Sequence, residues 1–528
     1  MRVLLVSTYE LGHQPLHVAS PAAALLAGGH DVTAHDLSVE PWDPALVDDL
    51  DALALSVPMH TAMRLAVAVA TDARARRPDL PICFYGLYAP VGRDATASRL
   101  ADRVIAGEYE PALVAWVDGL AAAAPRTVLE PAAGGDAPSG VAAGTGVGRD
   151  TARPASAAGA VDGDASSGTA DAGKATGFED LAVSVHLGRG GFRLPARHLL
   201  PPLDRYARLA RGTEEVLAGY VEGSHGCTFR CRHCPVPTVY DGRIRIVDHA
   251  VVVADVDALV AAGARHITFG DPDFLNGARH SLRLVRAVHE RHPDLTFDCT
   301  TKVELVLRHA DIWAELAAAG CVFVTSAVEC VNDDILERLD KGHTTAQAAA
   351  AVALLRGHGI ELRPSLLPFT PWTTLGDLVA LVDFAVAHDL APNIEPVHWT
   401  IRLLLPEGSL LLEHPDLAPH LGGYDPDALG YRWTAADPAV DVLQVELASL
   451  VEAHDAAGTP HEQTFAAIAA TVRCAAGQPD GPTPLTWAGG RPRLTEAWFC
   501  CAEPTAGQLG ALRHDSTDQS TGSLLPAR

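Results

Sequence analysis

Apolar residues in the first 124 positions fall into strand-length runs separated by stretches in which they recur every three to four residues. The runs are Arg2–Ser7, Asp31–Asp36, Leu53–Val57, Ile82–Gly86 and Arg103–Ala106, and helical spacing covers Ala19–Gly28, Met63–Arg77 and Pro111–Ala123. Strands interleaved with amphipathic helices predict a parallel, doubly wound Rossmann-like α/β sheet, with ligands at the carboxyl ends of its strands. A second alternation follows downstream. Its strand-like runs are Gly219–Ser224, His266–Gly270, Leu295–Thr300, Val322–Val328, Ile360–Leu367 and Asn393–Trp399. Helical stretches lie near His249–Ala262, Ala278–Arg291, Glu304–Ala319, Thr344–Gly357 and Leu375–His388. Six strands joined by right-handed helical crossovers predict a partial (β/α)6 barrel of the TIM type.

Between the two patterns, 40 of the 46 residues from Pro131 to Thr176 are Ala, Gly, Ser, Thr, Pro or Asp. Such a segment buries too little apolar surface to offset its ordering entropy, so it reads as a disordered linker. The expected units are an α/β domain over 1–124, a linker over 125–180 and a barrel over 181–410. A C-terminal extension over 411–507 and a disordered tail over 508–528 follow.

Composition narrows the partners. The formal net charge is -25, and of 40 basic residues 37 are Arg and three are Lys. That balance disfavours a sequence-independent grip on nucleic acid or on an anionic membrane. No signal peptide is visible, and the longest apolar run, near Leu316–Val328, is too short to span a bilayer. A cytoplasmic protein is expected. Five of the ten cysteines are scattered, whereas Cys227, Cys231 and Cys234 form a tight triplet and Cys500 and Cys501 are adjacent. Clustered thiols in a reducing compartment point to metal or redox chemistry.

The triplet lies in Gly226-Cys227-Thr228-Phe229-Arg230-Cys231-Arg232-His233-Cys234-Pro235, directly after the first barrel strand. Three thiolates at CxxxCxxC spacing can hold three irons of a [4Fe-4S] cluster and leave the fourth iron open to a ligand that is not protein. Barrel enzymes place their chemistry in such loops. The same thiols, completed by His225 or His233, would also suit a zinc site, and a non-catalytic metal-binding or thiol-relay protein is the alternative reading.

A CxxxCxxC loop in this position resembles the radical S-adenosylmethionine (SAM) superfamily. The resemblance implies that the open iron binds SAM, whose reductive cleavage gives methionine and a 5′-deoxyadenosyl radical. It further implies a flavodoxin- or ferredoxin-type electron donor and a small-molecule or peptide substrate. His233 stands where the superfamily usually has an aromatic residue, and an imidazole can likewise stack on adenine. Gly270-Asp271-Pro272-Asp273-Phe274 occupies the place of the turn that binds the cofactor's amino group. Glu329 matches a strand-end Glu near the ribose, and Lys302 is placed to meet the cofactor carboxylate. Pro364–Pro368 lacks a Gly-rich adenine-binding turn.

Gly107-Glu108-Tyr109-Glu110-Pro111 and Ser56 resemble features of the cobalamin-binding-like domain found ahead of many radical enzymes. The Asp-x-His-x-x-Gly signature of that domain is replaced by Thr8-Tyr9-Glu10-Leu11-Gly12-His13-Gln14-Pro15. Cobalamin binding and a domain that kept the fold without the cofactor both stand at this point. His13 and His17, split by Pro15, are not expected to pair on a metal. Methylthiotransferases need a second cluster, and residues 1–124 hold only Cys83. The tail Trp498-Phe499-Cys500-Cys501-Ala502-Glu503-Pro504 resembles the CUAEP/CCAEP-tail radical SAM group, in which selenocysteine often replaces the residue equivalent to Cys501. The resemblance implies a reactive Cys501 with Cys500 as its resolving partner.

Overall fold

A computed structural model describes residues 1–92, 100–123, 183–188, 191–478 and 490–496. The expected linker at 125–180, the Cys500–Cys501 pair and the tail at 508–528 lie outside the described residues.

The first sheet contains β1 (Arg2–Ser7), β2 (Asp31–Asp36), β3 (Ala52–Ser56), β4 (Ile82–Tyr85), β5 (Arg103–Gly107) and β6 (Val183–His186), all parallel, in the order β2-β1-β3-β4-β5-β6. Alternation along β1 explains why helices cover both faces. Leu4 and Val6 pack with Ala62, Met63 and Ala66 of helix His60–Arg76, while Val3 and Leu5 join Val18 and Leu25 of helix Leu16–Ala27 and Leu113 of helix Glu110–Ala123. β6 extends this sheet from beyond the segment 1–124 expected to make it.

The second sheet begins with β7 (Arg208–Arg211) and β8 (Glu214–Val221), followed by a hairpin of β9 (Ser224–Gly226) and β10 (Ile244–Ile246). It continues through β11 (His266–Phe269), β12 (Thr296–Thr300), β13 (Cys321–Glu329) and β14 (Glu361–Leu366). A second hairpin, β15 (Leu421–Asp425) and β16 (Gly430–Trp433), stands apart, and β17 (Arg493–Leu494) closes the series. The order is β14-β13-β12-β11-β8-β7-β17, parallel from β8 to β14, and the sheet curls into a half barrel. Helices His249–Ala261, Ala278–Arg291, Thr345–Gly357 and Leu375–Ala387 pack on its outside through one large core. Thr344 and Thr374 start the last two with reciprocal capping boxes.

Two sequence expectations change. Asn393–Trp399 is not a sixth strand: Pro392 and Pro396 open two 3-10 turns there, Ala391–Asn393 and Pro396–Trp399. Proline cannot donate to a sheet ladder, and among the described residues only an isolated bridge between Phe369 and Arg402 continues the pairing. The helix expected over Glu304–Ala319 breaks into Val303–Arg308, a 3-10 turn and Trp313–Ala318. Buried Trp313 pins the break by donating to the Val306 carbonyl at 2.9 Å. Among the described residues no helix is long and apolar enough to cross a membrane.

Residues 490–496 run across the open side of the half barrel. β17 pairs with β7, the Arg363 guanidinium donates to the Pro492 carbonyl at 3.3 Å, and Arg491 lies 3.2 Å from Glu361 on β14. Beyond β17, the Tyr9 hydroxyl donates to Glu496 at 2.9 Å. The strap therefore touches both edges of the half barrel and the loop after β1.

Candidate active site

The cysteine loop leaves the β9–β10 hairpin at the carboxyl end of the barrel. Gly226 turns it at φ +76°, where a Cβ would overlap the Arg243 carbonyl. Asn276 donates to Cys227 Sγ at 3.3 Å, and the Cys234 amide donates to the Cys231 carbonyl at 3.1 Å. Arg232 fastens the loop to helix Asp333–Arg338 by donating to the Glu337 and Arg338 carbonyls at 3.0 and 2.8 Å. A cation on those terminal carbonyls also complements the helix dipole. Burial raises the Cys227 thiol and pushes Cys234 up to about 12, with charge on Cys231 acting in the same direction. Thiols in such a place ionise when a metal compensates the charge.

Of the two histidines that could have completed a zinc site, His225 has both ring nitrogens on carboxylates and His233 has one. His233 Nε2 lies 3.0 Å from Glu329 Oε1, while His225 lies 3.0 Å from Glu108 and 3.2 Å from Glu222. Among the described residues no three His, Cys, Asp or Glu side chains are grouped to hold a single metal ion.

Glu329 ends β13 at a register shift, with φ +65°. A non-glycine residue in the left-handed region costs on the order of 1–3 kcal/mol, so packing must hold it there. Its carboxylate faces His233 and also accepts from Lys341 Nζ at 2.9 Å. Burial alone would raise this carboxyl; Lys341 and His233 outweigh it and hold it well below the usual range. Lys341 was not singled out from the sequence. The scarcity of lysine was the signal that could have singled it out.

The remaining candidate positions have definite partners. A Cβ on Gly270 would overlap the Tyr220 ring, so glycine is what lets that ring lie against the turn. Asp271 accepts from the Gly223 amide at 2.8 Å and the Ser224 hydroxyl at 2.6 Å, and burial pushes it up to about 7. Asp273 accepts from the Leu275 amide, Thr301 hydroxyl and Lys302 amide at 3.1, 2.7 and 3.1 Å, with burial raising it to about 6. Both carboxylates thus brace the strand ends around the loop. Lys302 Nζ lies 3.7 Å from the Phe229 ring centroid, within the cysteine loop, and 3.8 Å from Glu304.

The α/β domain meets this loop directly. Glu108, in the turn after β5, lies 3.0 Å from His225 and accepts from Tyr240 at 3.0 Å. Glu222 accepts from Tyr220 at 2.7 Å and lies 3.3 Å from His17, whose other ring nitrogen is 2.7 Å from the Tyr109 hydroxyl. Burial alone would lower His17; Glu222 and Glu10 outweigh it and carry it up to about 9. His13 faces elsewhere. Its ring lies 4.7 Å from that of Tyr220, and burial lowers it to about 4. His13 and His17 therefore meet different partners, the Tyr220 ring for the first and Glu222 with the Tyr109 hydroxyl for the second.

Residues 221–385 match the radical SAM superfamily. The barrel is a radical SAM domain. No curated protein matches the chain. The cobalamin-dependent SAM radical enzyme OxsB, solved with aqua-cobalamin bound, is similar at a TM-score of 0.60 and 14% identity, over 91% of this chain and 74% of that one. The radical SAM methyltransferase TsrM from Kitasatospora setae, solved with cobalamin and a [4Fe-4S] cluster bound, gives 0.58 and 15%, over 90% of this chain and 99% of that one. At these identities the likeness is one of fold, and it takes in the α/β domain as well as the radical SAM domain.

Proposed function

We propose that this radical SAM enzyme holds a [4Fe-4S] cluster on Cys227, Cys231 and Cys234, binds SAM beside it, and modifies a substrate with the help of cobalamin. The observation that carries the reading is the cysteine triplet within a radical SAM domain at the carboxyl end of a half barrel. The chemistry of the site fits: the thiols are buried or half-buried, and His233 Nδ1 is a buried nitrogen with no protein partner. When bound, the cluster and SAM supply a 5′-deoxyadenosyl radical, and cobalamin supplies a methyl group.

The chain's own residues prepare the site. Asn276 and Arg232 orient the cysteine loop, Lys341 and His233 hold Glu329 ionised, and Gly270 admits Tyr220 to the turn. Support for cobalamin comes from the whole-chain likeness in fold to OxsB and TsrM, both solved with it. Ser7 Oγ at the carboxyl end of β1 and His13 Nε2 in the following loop are buried without protein partners, as polar atoms awaiting a ligand between the domains would be. Methyl transfer to an unactivated carbon or phosphorus is the reaction class this combination serves. A flavodoxin- or ferredoxin-type donor would supply the electron, and Cys500 with Cys501 would act as a redox-active dithiol.

Anaerobic reconstitution with iron and sulfide should give a brown protein that converts SAM to 5′-deoxyadenosine under dithionite. A colourless protein carrying one zinc and inert to SAM would refute the reading. Cobalamin titration of the full chain, which retains β6, tests the second cofactor. Comparing turnover in C501S with wild type tests the dithiol.

A further inference from the structure

Only three of the 528 residues are lysine, and two of them, Lys302 and Lys341, are buried beside the cysteine loop. In a chain that otherwise uses arginine, these positions hold a compact ammonium in place of a planar guanidinium fork. Lys302 stands over Phe229, between Cys227 and Cys231. Lys341 follows helix Asp333–Arg338, the helix whose last carbonyls Arg232 holds, and is 3% exposed. The Arg232 amide also donates to the Leu339 carbonyl at 2.9 Å, which ties the Lys341 turn to the segment between Cys231 and Cys234.

Lys341 Nζ and His233 Nε2 converge on a single oxygen, Glu329 Oε1, at 2.9 and 3.0 Å. Among the described residues no hydrogen bond reaches Oε2. The carboxylate is thereby fixed with one oxygen to spare. His233 lies between Cys231 and Cys234 in the chain, so the oxygen it shares with Lys341 brings the ammonium to the segment that carries both thiols.

We infer that Lys341 is a positioning residue of the cluster site, which fixes Glu329 through Oε1 and places a permanent positive charge beside Cys231 and Cys234 that raises the cluster's reduction potential. The inference rests on the reading of the triplet as cluster ligands. One-electron reduction by the external donor adds one negative charge to the cluster. A buried cation stabilises that charge more strongly than water-exposed residues can, because the surrounding dielectric is low. Glu329 offsets the cost of burying the ammonium and partly offsets its effect on the cluster.

The opposite charges give opposite signs, and these make the test. Wild type, K341M, K341R and E329Q are reconstituted anaerobically in the full chain, assayed for iron and sulfide, and titrated with dithionite under electron paramagnetic resonance. K341M should shift the midpoint downwards, K341R should restore it towards wild type, and E329Q should shift it upwards. If K341M does not assemble, the upward shift of E329Q and the near-wild-type value of K341R carry the same test. A fully loaded K341M with the wild-type midpoint, or an E329Q that shifts downwards, overturns the inference. A wild-type chain that takes up no iron defeats the cluster reading itself, which is a separate outcome.

Discussion

Glu496 anchors the strap to the α/β domain through a bond that should depend on pH. Burial pushes its carboxyl from the ordinary 4.5 up to about 7, against the lowering effect of the Tyr9 hydroxyl. In a released strap the same carboxyl would titrate near its ordinary value. Docking therefore favours the protonated form: its full strength is present below about pH 4.5 and is lost as pH rises towards 7. Every tenfold change in proton affinity corresponds to about 1.4 kcal/mol, so the loss is on the order of 3 kcal/mol, a few hundredfold in the docking equilibrium. E496Q keeps the shape and removes the titration. Hydrogen exchange of the peptides spanning Tyr9–His13 and Arg493–Glu496, corrected for intrinsic rates, should show protection that falls between pH 5 and pH 8 in wild type but not in E496Q. Identical pH dependence in the two proteins would refute the argument.

Other perturbations have equally definite outcomes. Arg197 donates to Asp255 at 2.6 and 2.8 Å, to the Tyr220 carbonyl at 2.6 Å and to Gln14 at 3.1 Å. R197A leaves buried Asp255 unpaired and should cost about 3–5 kcal/mol in urea unfolding, with R197A/D255N recovering part of it. G270A forces the Tyr220 ring away from Glu222 and His13 and should cost about 1–3 kcal/mol, read as a lowered Tm. His17 is raised above its ordinary value to about 9, so its contribution is full below about pH 6.5 and lost as pH rises through 9. H17Q should remove that part of the stability slope between pH 7 and 10 in thermal melts.

Local pattern was enough to find the two α/β units, because strands buried on both faces read as short apolar runs whatever they pair with. The triplet proposed to hold the cluster stands out for a similar reason: its spacing lies within one loop. Contacts between distant segments were not legible. Nothing local to Asp271 and Asp273 tells that Ser224 and Thr301 donate to them, and nothing near Glu329 points forward to Lys341. Asn393–Trp399 has strand-like residues, but its outcome was decided by two prolines at turn positions. The strap at 490–496 pairs with β7, almost 300 residues earlier in the chain, and its short β17 carries no periodicity to detect.

β6 gives the chain an unusual freedom. Residues 124–182 start at the end of helix Glu110–Ala123 and finish at a strand that pairs with β5, immediately before that helix. Both ends are therefore anchored in the α/β domain, and the relation between that domain and the barrel is carried by other contacts. Doubling the length of such a detour costs only about 0.6 kcal/mol in closure entropy. An insertion between these two ends is therefore expected to leave the α/β domain and the barrel in place, as a thermal melt of such a variant would show.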